Sequence, residues 1–219
     1  MDNKSFGYVY GDGELSRRAY NLAIGAILLY GFVINYFMCK YLAGYFLELN
    51  PWVVIIGYFI LAFSGIYISE RSDNAFISFI GYNLVVVPVG VLLSILLVNY
   101  DNGAIINAIL VTGSVTFIMM VLSCIYPAFF LSLGRTLFVA LLCVIIAEVI
   151  FIFIGIVTPR LWDMLVAGIF ALYIGYDWAK AQQEWRSLDT AVDTCVALYL
   201  DIINLFIRIL GSSSKSKKN

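Results

Sequence analysis

Three carboxylic acids stand inside long apolar stretches of this chain: Glu148, Asp177 and Asp201. An ionisable side chain in lipid is costly, so each is a functional candidate by default. Asp177 and Asp201 are 24 residues apart, and their midpoint, Asp189, falls in Arg186-Ser187-Leu188-Asp189-Thr190, which reads as a turn. Ser187 or Asp189 can cap the helix that follows. At about 1.5 Å per residue, both acids lie roughly 18 Å from the bend on two antiparallel helices. The spacing therefore permits a buried carboxylate pair. The second helix also carries a polar line: Asp193, Ala197, Asp201, Asn204 and Arg208 follow one another at intervals of four, four, three and four. Such intervals keep them on one helix face. That face should avoid lipid and, enclosed by other helices, could line a water-filled path. A plainer reading stands beside it, in which Asp201 pairs with Arg208 or Asn204 and only fixes packing. Glu148 has no intramembrane base apparent by sequence, so it is either protonated or bonded to a neighbouring helix. Outside the apolar runs, Glu70-Arg71-Ser72-Asp73 places Arg71 where it could reach Asp177, or serve as an interfacial anchor.

The elements that must hold these groups are membrane spans. Of 219 residues, 63% are hydrophobic and only 12% charged, about half the charge of a soluble domain. A hydrocarbon core about 30 Å thick needs roughly 20 apolar residues in helix. Seven runs qualify: Ala19–Met38, Trp52–Ile68, Ala75–Val98, Ala104–Tyr126, Thr136–Val157, Leu161–Trp178 and Ala191–Leu210. The sixth is the shortest and should continue as an amphipathic extension through Lys180 to Trp185. Helices are the default because unpaired strand edges are not tolerated in lipid. Short connections make successive helices antiparallel neighbours. The expected organisation is a polar cytoplasmic segment over residues 1–18, one seven-helix domain over 19–211, and a polar basic tail over 212–219.

Basic residues set the orientation. Lys4, Arg17, Arg18, Arg71, Arg135, Lys180 and Arg186 fall on one side, and Lys40 and Arg160 on the other. Cytoplasmic loops carry the excess of Lys and Arg, so the N-terminus should be inside. Seven spans then put Lys215, Lys217 and Lys218 outside, against the rule. A six-span form with a re-entrant last segment thus stays open. Residues 1–18 lack the apolar core of a signal peptide.

Several chemistries are excluded. The chain has no histidine, which removes histidine zinc sites and Ser-His or Cys-His catalysis. Cys39, Cys124, Cys143 and Cys195 lie in or beside different apolar segments, where cysteine behaves as a small hydrophobe. A net charge of −1 gives no reason to expect nucleic acid. Neither an enzymatic site nor a tightly bound cofactor is expected. Glycines such as Gly25, Gly57, Gly65, Gly90, Gly113 and Gly168 read as packing residues that let helices approach closely.

The strings Leu172-Tyr173-Ile174-Gly175-Tyr176-Asp177 and Ala197-Leu198-Tyr199-Leu200-Asp201-Ile202-Ile203-Asn204-Leu205-Phe206 resemble the transmembrane Bax inhibitor motif family, in its bacterial branch. A weaker likeness covers Gly113-Ser114-Val115-Thr116-Phe117, Tyr126-Pro127 and Leu133-Gly134-Arg135. The resemblance extends over most of the chain after residue 70. It implies an all-α membrane protein, a seven-helix transmembrane bundle with a central C-terminal helix. It also implies a pH-sensitive calcium-leak channel in the cell membrane, with calcium as the permeant ion. Asp177 and Asp201 match the family's paired aspartates, held to be its pH sensor, and Arg71 is the nearest match to the arginine said to latch the closed state. Glu148 is outside that pattern. Two carboxylates in contact cannot both ionise cheaply, so they share a proton and respond to pH without a histidine. Calcium prefers hard oxygen ligands, which Asp177, Asp201, Asn204 and backbone carbonyls supply. Two rivals remain: a proton-coupled small-molecule transporter, for which no convincing internal repeat is present, and a non-conducting regulatory or scaffold protein. The lipid bilayer, calcium ions and protons are the expected partners.

Overall fold

The computed structural model describes residues 14–155, 158–184 and 187–216. Among the described residues, nine helices follow in order: α1 Arg17–Tyr41, α2 Ala43–Leu47, α3 Pro51–Arg71, α4 Ala75–Leu97, α5 Asn102–Ile125, α6 Pro127–Ser132, α7 Gly134–Ile154, α8 Arg160–Glu184 and α9 Leu188–Ser216. Seven long helices match the seven expected apolar runs to within a few residues, apart from longer ends on α8 and α9. Residues 156–157, 185 and 186 lie outside the described ones. Two short helices, α2 and α6, were not expected. Pro127 explains the second: lacking an N–H, it ends α5 and opens α6 at its first position.

Six of the helices are long and apolar enough to cross a membrane: α1, α3, α4, α5, α7 and α9. The expected sixth span, α8, is not among them, because Arg160, Asp163, Asp177, Lys180 and Glu184 punctuate it. The protein is a multi-pass, all-helical membrane protein. Large apolar side chains such as Phe63 (65% exposed), Phe138 (65%) and Phe153 (87%) stand on its outside, where lipid would replace water as the favourable solvent.

Local sequence sets the helix ends. Ser16, Asn50, Asn74 and Asp101 each accept a hydrogen bond from a backbone N–H of the first turn of α1, α3, α4 and α5, filling orphan donors there. Ser187 caps α9: its Oγ accepts from Thr190 N at 3.2 Å, and Thr190 Oγ1 accepts from Ser187 N at 3.0 Å. Gly155 ends α7 with φ of 73°, a left-handed conformation natural to glycine.

The chain divides into two compact units. The first joins Met1–Asn99 with Gln183–Tyr199, and the second joins Tyr100–Gln182 with Leu200–Asn219. In the first, α1 turns Tyr20, Ile24, Leu28, Gly31, Asn35 and Met38 inward, a stripe at intervals of three and four. Against such surfaces pack Tyr82, Val85, Val86 and Val89 of α4, and Ala191, Cys195 and Tyr199 of α9. Polar groups tie the elements together, as helix association in lipid favours. Tyr82 Oη donates to the Ile27 carbonyl at 3.1 Å, Tyr20 Oη is 2.9 Å from Thr194 Oγ1, and Asn35 Nδ2 donates to Tyr199 Oη.

The α3–α4 hairpin depends on two glycines. Its turn centres on Asp73, and Gly65 and Gly81 are equally distant from it, so they meet. A Cβ on Gly81 would sit 2.6 Å from the Gly65 carbonyl oxygen, and a Cβ on Gly65 would strike that of Gly81. Backbone cannot move aside as a side chain can. Gly65→Val should therefore cost about 1–3 kcal/mol through overpacking, whereas Gly57→Val, with open space at its Cβ, should be nearly neutral. Thermal unfolding in detergent compares the two, and equal melting temperatures would remove the close crossing.

Candidate functional site: an acid pair and a charge cluster in the second unit

In the second unit α8 is held by exchanged ring-on-glycine contacts. The Phe130 ring of α6 covers Gly175, and the Tyr176 ring of α8 covers Gly134 at the start of α7, where an added Cβ would be 2.7 Å from the ring. Gly175 and Tyr176 immediately precede Asp177, so this packing fixes the turn that carries the acid. Asp177 and Asp201 face each other closely enough to share a hydrogen bond. Asp201 is only 7% exposed, and its Oδ2 is buried with no hydrogen-bond partner among the described residues. Tyr173, one turn before Asp177, is within electrostatic reach of both carboxyls, and Lys180 is within reach of Asp177. Ionised carboxylates only accept hydrogen bonds, so a bond between these two requires a proton on one of them.

Farther along α9 is a second charged group. Arg208 Nη2 is 2.5 Å from Glu148 Oε1 of α7, and Nη1 is 3.5 Å from Asp163 Oδ1 of α8. Trp162 Nε1 donates to the same Glu148 oxygen at 3.2 Å. Asp163 is 4% exposed. Its neighbours include Gly211, whose added Cβ would lie 3.4 Å from Oδ2, and Tyr100, whose phenol is pushed up first by burial and then by the Asp163 charge.

This arrangement bears on two readings that the sequence left open. Arg208 serves Glu148 and Asp163, while Asn204 Nδ2 donates to the Leu200 carbonyl at 2.8 Å; the plainer pairing of Asp201 with Arg208 or Asn204 is not what forms. For Glu148, the bond to a neighbouring helix is the reading that forms, and the base comes from α9. Asp163 was missed, although antiparallel register offered a signal. Asp177 and Asp201 sum to 378, and Asp163 and Gly211 to 374, so both pairs are opposite one another on one hairpin.

The remaining site residues lie in the first unit. Asp193 accepts from Ser69 Oγ of α3, and Asp189 accepts from Ser78 Oγ of α4 at 2.6 Å. Arg71 closes α3 with its guanidinium carbon 5.5 Å from the centre of the Tyr67 ring. No group of three or more acidic or cysteine side chains among the described residues is arranged to hold a metal ion.

An all-helical, multi-pass membrane protein with a carboxyl pair between two antiparallel helices, the Asp201 member buried and Asp177 half-buried, is the class defined here. The family described as inhibitor of apoptosis-promoting Bax1 matches residues 14–216. The chain belongs to that Bax inhibitor family. It is also similar to uncharacterized proteins from two strains of Helicobacter pylori, each 32% identical over 165 residues, covering 73% of this chain and 69% of theirs.

Proposed function

We propose that this protein is a pH-sensitive calcium-leak channel of the cell membrane, gated by Asp177 and Asp201. The observation that carries the reading is the facing pair of acids, one of them 7% exposed, inside an apolar helical protein. With one shared proton the pair bears a single negative charge. Losing that proton leaves two like charges in contact, which repel strongly in a poorly polarisable interior. The repulsion favours either separation of α8 from α9 or arrival of a cation between them. Calcium suits that position, since two carboxylates and nearby carbonyls are hard oxygen ligands, and so small a set binds transiently, as conduction requires. Arg71 enters this reading as the latch of the closed state.

Seven crossings, with the C-terminal helix central, complete the reading. The support is that α8 meets α9 both at Asp177–Asp201 and at Asp163–Arg208, and Asp163 and Asp177 are 14 residues, roughly 21 Å, apart. A helix that accompanies α9 over this length crosses wherever α9 crosses. Asp163 and Asp177 are turned toward α9, which is why composition understates it. A reversal inside α9, as a re-entrant segment needs, is absent among the described residues. The N-terminus is then cytoplasmic and the tail outside. Ser213→Cys should accordingly react with impermeant thiol reagents only from the outer face of oriented vesicles. Labelling from the cytoplasmic face alone would restore the six-crossing form.

The functional test is calcium uptake by liposomes containing only the purified protein, read with an entrapped fluorescent indicator at several pH values. Uptake above empty liposomes is expected, with a rate that depends on pH. No uptake in any condition overturns the channel and favours a regulatory scaffold. Uptake that requires a second solute moving with protons favours the transporter.

A further inference from the structure

The two ends of α3 are connected in opposite ways. Its turn into α4 is Glu70-Arg71-Ser72-Asp73, polar as a turn in water should be. Its connection to α1 runs from Leu42 to Asn50, and Glu48 is the one charged side chain in it. Within it α2 packs against α4 and the end of α1. Even so, Tyr41, Leu42, Tyr45, Leu47, Leu49 and Trp52 all stand exposed, Tyr45 and Trp52 to 72%. A Cβ added to Gly44 would meet nothing within 4 Å. An apolar patch of this kind marks a surface meant for something other than water. Both α1 and α3 are long and apolar enough to cross a membrane, and so short a connection stays near the boundary where they end. Tyrosine and tryptophan suit that boundary, each having an apolar ring and a polar tip.

Beside this patch Lys40 is flanked by two tyrosines. Its Nζ donates to Tyr36 Oη at 3.2 Å and is within hydrogen-bonding reach of the Tyr41 hydroxyl. It lies 5.5 Å from the centre of the Tyr36 ring and 5.2 Å from that of Tyr41. An ammonium has three donors, so one remains after both tyrosines are served. A phenol that accepts from Lys40 still has its own O–H to donate. The cluster therefore offers an N–H and two O–H donors with net charge +1, a set suited to phosphodiester oxygens.

We propose that residues 36–52 bind the headgroup layer of the membrane, with α2 lying in the interface and Lys40, Tyr36 and Tyr41 holding the phosphodiester of a phospholipid. This site is independent of the acid pair and stands whether or not the protein conducts. A lysine near a layer of anionic headgroups is worth about five-fold in affinity.

Two measurements test the two halves of the proposal. In the first, Cys39, Cys124 and Cys143 are replaced by alanine, and a nitroxide is attached at Tyr45→Cys, Leu49→Cys or Asp73→Cys. Each protein is reconstituted in liposomes of phosphatidylcholine and phosphatidylglycerol. Collision with oxygen, relative to collision with a water-soluble nickel chelate, should be several-fold greater at positions 45 and 49 than at 73. Equal ratios at all three positions would place α2 in water. Shielding of 45 and 49 from both reagents would mean that a second copy or another protein covers them. Either result overturns the proposal. In the second, the melting temperature of the purified protein in neutral detergent is followed while short-chain phosphatidylglycerol is added. The concentration giving half of the rise should increase about five-fold in Lys40→Gln, and in the same direction in Tyr36→Phe/Tyr41→Phe. Lys40→Arg keeps the charge and should stay within about two-fold of wild type, which separates loss of the site from loss of the fold. Inorganic phosphate at the same concentrations should give no rise. No rise in wild type, an unchanged half-point in Lys40→Gln, or an equal rise with inorganic phosphate overturns the phospholipid site.

Discussion

Liposomes carrying Asp201→Asn should take up calcium at one rate across pH 5 to 8, equal to the acid-limit rate of wild type. Asparagine is nearly isosteric with a protonated aspartate and, like it, can donate a hydrogen bond to Asp177. The variant is therefore fixed in the state that wild type reaches by binding a proton. Wild type, with one shared proton to lose, should change its rate by up to about ten-fold per pH unit across its transition, the most a single titrating proton allows. The double variant Asp177→Asn/Asp201→Asn has no charge to lose at this position. Its residual uptake should vary less than about two-fold over the same range. Asp177→Asn differs from Asp201→Asn in keeping the more deeply buried acid, so the two single variants should not share one resting rate. A pH profile unchanged in the double variant would move the sensor elsewhere, with Glu148 next to be substituted. A rate for Asp201→Asn that matches the alkaline limit would reverse the assignment of states.

The second large effect concerns stability. Glu148→Gln/Asp163→Asn leaves Arg208 with neither acid, at a side chain only 19% exposed. Removing the partners of a buried charge typically costs about 3–5 kcal/mol, because the remaining charge stays desolvated and unpaired. Partial access at Arg208 places the expectation near the lower end, about 3 kcal/mol. Adding Arg208→Met should return most of that loss, since an apolar side chain of similar length needs no partner. Thermal unfolding of the purified proteins in one detergent measures both steps. A double variant as stable as wild type would mean that Arg208 is solvated there and that the charge cluster contributes nothing.

Much of this arrangement was legible in the sequence because it is local or periodic. Each long apolar run became a helix, and Asn74, Asp101 and Ser187 stand where orphan N–H groups begin. The acid pair could be anticipated for the same reason. A short turn makes two helices antiparallel, and residues equally distant from it must come level. Gly65 and Gly81 obey that geometry as Asp177 and Asp201 do.

What the sequence by itself determined, then, is helices, caps and pairings within a hairpin, all governed by rise per residue and turn position. The tertiary structure alone decided partners between helices that are not joined by one turn. Glu148 and Arg208 are 60 residues apart on α7 and α9, and their meeting depends on how each helix is rotated about its own axis. For α7 and α8, contacts such as Phe130 on Gly175 and Tyr176 on Gly134 constrain that rotation. The same packing gives α8 its place. Its acids look unsuited to lipid when composition is averaged along the helix, yet Asp163 and Asp177 are turned to α9, where a base and a second acid receive them.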